Sequence, residues 1–187
     1  MQEKYLSLGL MSGTSGDGVD ASILYSDGIK QFEVIKDKYF EYDSEIYKNL
    51  HLLKEKISNL SDLKKFEKQL KNMERKITIF HAKIIKEFES DNIDIVGFHG
   101  QTIYHNSKEK ISRQLGNGKL LFQLTKKKIV FNFRANDILN GGEGAPLTPI
   151  FHQLLSRKIN TKFPVCIMNI GGITNISIIR KPEGTSE

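Results

Sequence analysis

One cysteine, Cys166, and no tryptophan occur in the 187 residues. A lone cysteine excludes an internal disulfide and fits a reducing compartment, so a cytoplasmic location is expected. No apolar run approaches the ~20 residues that cross a bilayer as a helix. The opening residues carry no signal-peptide pattern, and no membrane partner is expected. Acidic residues are in the minority, 22 Asp and Glu against 28 Lys and Arg, for a net charge of +6. That excess raises nucleic acid as a partner. The lysines, however, are spread along helical patterns and interleaved with Glu, and the one tight run, Lys126-Lys127-Lys128, reads equally well as a solvated strand end. No nucleic-acid motif accompanies the charge, and that class is set aside. With 39% hydrophobic residues the chain can bury an ordinary core, and its length suits one domain, or one plus the start of another.

The stretch that carries most chemistry runs from Leu8 to Leu24. Apolar residues lead in, Gly, Ser, Thr and Asp dominate Ser12 to Val19, and a second apolar run leads out. Both flanks read as strands, which makes a hairpin with a wide loop. Gly13, Gly16 and Gly18 let the backbone approach another molecule closely. Curled N–H groups form a concave anion site, and the hydroxyls of Ser12, Thr14 and Ser15 add neutral donors. Asp17 and Asp20 would repel a bare phosphate but suit one that carries a divalent cation. A metal-bound polyphosphate is the expected ligand; a Gly-rich hairpin without a ligand is the plain alternative. No lysine lies between Lys4 and Lys30, which excludes a Walker loop, and no helical pattern follows Asp20, which excludes a dinucleotide fingerprint.

Strands are expected at Leu6–Leu10, Val19–Tyr25 and Lys30–Lys36, then a helix over Ser44–Ile57. A longer helix capped by Ser61 carries Leu63, Phe66, Leu70, Met73, Ile77, Phe80 and Ile84 at spacings of three and four. That stripe suits a helix covering a sheet, with a coiled-coil partner as the other possibility; His81 lies beside it and needs no role. A buried strand from Ile93 runs into Gly97-Phe98-His99-Gly100-Gln101-Thr102, whose small and polar residues suggest the edge of a site. By itself His99 reads as a hydrogen-bonded structural histidine or as a catalytic one. Gln114 to Gly118 is a turn, and Ile129–Phe133 a strand that delivers Asn132-Phe133-Arg134-Ala135-Asn136-Asp137. Arg134 and Asp137 either pair with each other, or Arg134 offers its fork to a substrate carboxylate. A helix is expected over Thr148–Ile159 with Pro149 in its first turn, then a hairpin over Val165–Ile178 turning on Gly171-Gly172. Cys166 reads there as a small core residue.

These segments resemble the anhydro-N-acetylmuramic acid kinases of the sugar kinase, Hsp70 and actin superfamily. The signature Met-Ser-Gly-Thr-Ser-x-Asp-Gly-Val-Asp matches Met11 to Asp20, with Gly16 where the family usually has Leu. His-Gly-Gln-Thr matches His99 to Thr102. Asp-Phe-Arg-x-x-Asp and Gly-Gly-Gln-Gly-Ala-Pro-Leu match the run from Asn132 to Leu147, except that Asn132 replaces Asp and Glu143 replaces Gln. The resemblance implies an α/β, ribonuclease H-like domain of actin/hexokinase type over residues 1–160, with a mixed sheet and covering helices, and the first hairpin of a second such domain over 161–187. It implies ATP with Mg at Gly13, Thr14, Ser15, Gly16, Asp17, Gly18, Val19 and Asp20, Asp17 being the metal-facing carboxylate. An amino sugar with a lactyl carboxylate would meet His99, Gln101, Arg134, Asp137 and Glu143. The reaction implied is ATP-dependent conversion of 1,6-anhydro-N-acetylmuramic acid and water to N-acetylmuramic acid 6-phosphate in cell-wall recycling. Family members run to about twice this length and commonly dimerise. Their general base lies in an Asp-Thr-Gly-Pro-Gly-Asn segment that would fall beyond residue 187. The chain is therefore expected to be an N-terminal half, inactive alone; a non-catalytic sugar- or nucleotide-binding module is the alternative.

Overall fold

Alternating apolar and polar residues organise the first three strands, β1 (Tyr5–Ser12), β2 (Gly18–Ser26) and β3 (Phe32–Glu41), in the computed structural model, which describes residues 3–159, 162–171 and 173–180. Leu8 and Leu10 of β1, and Val19, Ala21 and Ile23 of β2, bury one face, none being more than 2% exposed. β3 starts later and runs further than its sequence suggests. It lies at the sheet edge, where Lys36 and Lys38 discourage further pairing.

The helices follow from their caps. Asp43 accepts the Ile46 N–H at 2.8 Å and starts α1 (Ser44–Lys56), which buries Ile46, Leu50 and Leu53. The long helix expected next is two. Asn59, not Ser61, caps α2 (Leu60–Lys65) in a reciprocal box with Asp62; the chain bends at Phe66, and α3 (Glu67–Glu87) begins there. Leu70, Met73, Ile77 and Ile84 are buried as the stripe requires, and α3 packs on α1, on β5 (Ile111–Leu115) and on α4 (Gly118–Thr125). It is a covering helix rather than half of a coiled coil. His81 of α3 is fully buried against Ser12 of β1 and Phe98 of β4.

After a 3-10 turn at Glu89–Asp91, with Asn92 left-handed at φ 50°, the chain enters β4 (Ile95–Asn106). β4 pairs in parallel with β1, and its first half pairs in parallel with β6 (Lys128–Phe131). Its second half pairs antiparallel with β5, giving a mixed sheet ordered β3-β2-β1-β4-β5 with β6 alongside β4. The lysine run divides between a left-handed cap of α4 at Lys126 and the start of β6 at Lys128. Helix α5 (Phe133–Leu139), which its sequence did not suggest, and α6 (Pro149–Ser156) follow.

β7 (Val165–Asn169) and β8 (Asn175–Ile179) form a separate two-stranded sheet. Asn169 pairs with Asn175, so the connection is longer than the expected Gly171-Gly172 turn; Gly172 lies outside the described residues. Cys166 is exposed, contrary to its reading as core, because β7–β8 has no helical layer over that face among the described residues.

Candidate active site

Strand parity builds the site. Leu8, Leu10, Val96 and Phe98 point to the helices, so Gly9, Met11, Gly97 and His99 belong to the opposite face, with Asp20 and Ser22 of β2. Gly9 pairs with Gly97 across β1 and β4, and Gly97 with Val130 of β6, leaving two positions without side chains in the floor between Ser22 and Val130. Above it is a cavity of about 1140 Å³, walled by Asp20, His99, Asn132, Asn136 and Asp137. Ser22 and Asn136 are site residues that sequence reasoning missed; the parity of β2 could have found Ser22.

The β1–β2 loop is open at its tip. Thr14, Ser15 and Asp17 are exposed, and among the described residues the one backbone bond within the loop runs from Gly16 N–H to Gly13 C=O, at 3.2 Å. The Ser15 hydroxyl donates to the Asp17 carboxylate at 2.6 Å and holds its pKa below the usual carboxylate value. An ionised, accessible Asp17 fits Mg, which usually takes one or two carboxylates and completes its shell with phosphate oxygens and water. Among the described residues no three His, Cys, Asp or Glu gather as a metal centre.

Other loop residues face inward. Val19 is core, and Gly18 lies under β3, where a Cβ would come within 2.4 Å of the Phe40 carbonyl oxygen. Ser12, read as a donor to the ligand, is 1% exposed and lies 2.9 Å from the Tyr42 hydroxyl and 3.4 Å from His81 Nε2. His81 Nδ1 is 2.8 Å from the Ile77 carbonyl, which can only accept, so Nδ1 carries the proton. The chain Tyr42–Ser12–His81 thus pins the base of the loop to α3. Burial pushes the His81 pKa down to about 4 and the Tyr42 pKa up to about 12. Gln101, expected to meet the sugar, is also fully buried: its Nε2 donates to the Gly13 carbonyl at 2.9 Å and braces the loop from β4.

His99 and Arg134 form one unit. Arg134 Nε donates to His99 Nε2 at 2.7 Å, which forces the His99 proton onto Nδ1, 2.6 Å from the Gly100 carbonyl. Burial first, and then the Arg134 charge, push the His99 pKa down to about 4, so this imidazole is neutral. Arg134 Nη1 donates to the Gly144 carbonyl at 2.8 Å, and Asp137 Oδ2 accepts the Gly144 N–H at 2.8 Å. Arg134 and Asp137 therefore do not pair with each other; both tie down the glycine segment, with Glu143 exposed between Gly142 and Gly144. Two of the Arg134 nitrogens are committed internally, which leaves Nη2 for a ligand rather than the whole fork.

Comparison with known proteins extends this picture. A family model described as anhydro-N-acetylmuramic acid kinase matches residues 4–186. The anhydro-N-acetylmuramic acid kinase of Pelagibacter ubique is 58% identical over 182 residues, covering 96% of this chain and 48% of the relative. Relatives of the same description from Agrobacterium fabrum and Rhodopseudomonas palustris are 36% and 35% identical, covering 96% and 92% of this chain and 50% and 49% of themselves. The chain spans about half the length of the curated relatives it matches. Matched almost from end to end, with a glycine-rich hairpin loop and an adjoining cavity in one sheet, it belongs to the anhydro-N-acetylmuramic acid kinase family.

Proposed function

We propose that this chain supplies one wall of a cytoplasmic, ATP-dependent kinase that converts 1,6-anhydro-N-acetylmuramic acid and water to N-acetylmuramic acid 6-phosphate in amino-sugar metabolism. The observation that carries the reading is the open loop tip beside a cavity that lies between the sheet and α5, over Gly9 and Gly97. Gly13 to Asp17 would hold the phosphates of ATP, and Mg bound with them neutralises charge on the transferring phosphoryl group. Asp20, His99 and Asp137 would border the sugar, and Arg134, oriented by His99, would offer Nη2 to the lactyl carboxylate. Phosphoryl transfer depends on positioning from both sides of a cleft. The general base is supplied, in this reading, from outside the 187 residues. Residues 1–160 form the first domain and 161–187 open the second.

ADP release with 1,6-anhydro-N-acetylmuramic acid, followed in a coupled assay, tests this. The 187-residue chain alone should give no turnover, and a separately supplied C-terminal half of a relative should restore it. Turnover by the chain alone would overturn the half-enzyme reading. Failure of complementation would favour a non-catalytic sugar-binding module. One feature favours that second reading: Asn132, uncharged where the family usually has Asp, is left-handed at φ 64° and its side chain does not cap α5.

A further inference from the structure

The β1–β2 loop contains no cation of its own, and α1 brings one to it. Lys54, in the last turn of α1, is half-buried and donates its ammonium to the Thr14 carbonyl. Gly16 stands at φ 73°, and a Cβ built on it would meet Leu50 Cδ2 at 3.0 Å, His51 Nε2 at 3.7 Å and Lys54 Nζ at 3.7 Å. The space that the family's usual Leu would need is occupied here by α1. His51 Nε2 is buried and has no hydrogen-bond partner among the described residues, so a second polar group is packed against the same loop. An ammonium has three protons to donate, and the Thr14 carbonyl takes one.

We propose that Lys54 is a phosphate-binding residue: its ammonium, held at the loop by Thr14 and admitted by Gly16, donates to an oxygen of a metal-bound polyphosphate. It would do from a neighbouring helix what the lysine of a Walker loop does from within the loop. The inference rests on the reading of Gly13 to Asp17 as a phosphate site. A brace that merely fixes Thr14 is the competing role, and the two separate experimentally because a brace has no direct interaction with ligand charge.

Magnesium tripolyphosphate and MgATP are the probes, titrated calorimetrically into the 187-residue chain and its variants at low and moderate salt. Lys54→Met should weaken both probes about tenfold or more, as loss of a charge-assisted hydrogen bond does. It should also flatten the salt dependence of the remaining affinity, whereas Lys54→Arg keeps both within about threefold of wild type. Unchanged affinity in Lys54→Met, or a loss with undiminished salt dependence, would reduce Lys54 to a brace and overturn the proposal while leaving the loop reading intact. No binding of either probe by wild type would overturn both. Should Lys54→Met fail to fold, the Lys54 Cε resonance of the wild-type chain decides: it should shift on adding magnesium tripolyphosphate, and a static resonance overturns the proposal.

Discussion

Two hairpins of similar composition, β1–β2 and β7–β8, are put to different use in this chain. Each joins apolar strands through a loop containing glycine. In the first, Leu8, Leu10, Val19, Ala21 and Ile23 are no more than 2% exposed, because β3 and β4 flank the pair and helices cover one face. In the second, Met168, Ile176 and Ile178 are 53%, 55% and 63% exposed and share a face with Cys166, while Ile179 alone is buried. It is tied to α6, where His152 Nδ1 lies 2.8 Å from the Ser177 hydroxyl. A two-stranded ribbon is marginal in water until a third strand or a helix covers it. The same residues thus become a rigid platform in one place and an uncovered apolar face in the other, and neighbours decide which.

Core truncation gives the largest contrast. Ile23→Ala should cost about 2–5 kcal/mol, whereas Ile176→Ala should stay within about 0.5 kcal/mol. Urea denaturation of both variants measures this, and equal losses would show that β7–β8 is as well covered as β1–β2. Acid should act next, and on the first region. His81 and His99 are neutral in the fold, with pKa values pushed from 6.5 down to about 4 chiefly by burial. Between those limits the unfolded chain binds protons that the folded chain refuses. Stability is therefore complete above pH 6.5 and falls by a few kcal/mol as pH drops towards 4. A urea midpoint that did not fall between about pH 7 and pH 5 would show that neither imidazole is neutral by virtue of the fold. Glycines give the smallest contrast. Gly18→Ala places a Cβ against the Phe40 carbonyl oxygen and should cost about 1–3 kcal/mol. At Gly171 a Cβ meets nothing nearer than 4.0 Å, and alanine there should change the thermal midpoint little.

Local patterns were readable in advance where the physics is local. The alternation of β1 and β2, the Ser44 start of α1 and the buried stripe of α3 all depend on neighbours three or four residues away, or two in a strand. Asn59 and Ser61 are both competent caps, and the choice fell to Asn59 because Asp62 stands three residues after it and can close the reciprocal box. β5 and α5 were not legible: each is short, and β5 exists because β4 outruns β6 and offers its second half a partner. Long-range partners were the least visible. Arg134 and Asp137 suggested an ion pair by spacing, yet His99, 35 residues away, and Gly144 claim them. The loop motif announced a ligand-facing turn, but nothing in its spacing said that Ser12, Gly18 and Val19 would be structural while Thr14, Ser15 and Asp17 stayed accessible.

The facing glycines Gly9 and Gly97 have one more consequence. Where these two glycines meet, the floor has no rotamers to rearrange, so a ligand lying there would find the same contour each time. Discrimination between similar ligands would then fall to the other lining residues, Asp20, Asn132 and Asn136 among them. Changes there would alter the fit of such a ligand without disturbing the two glycines beneath it.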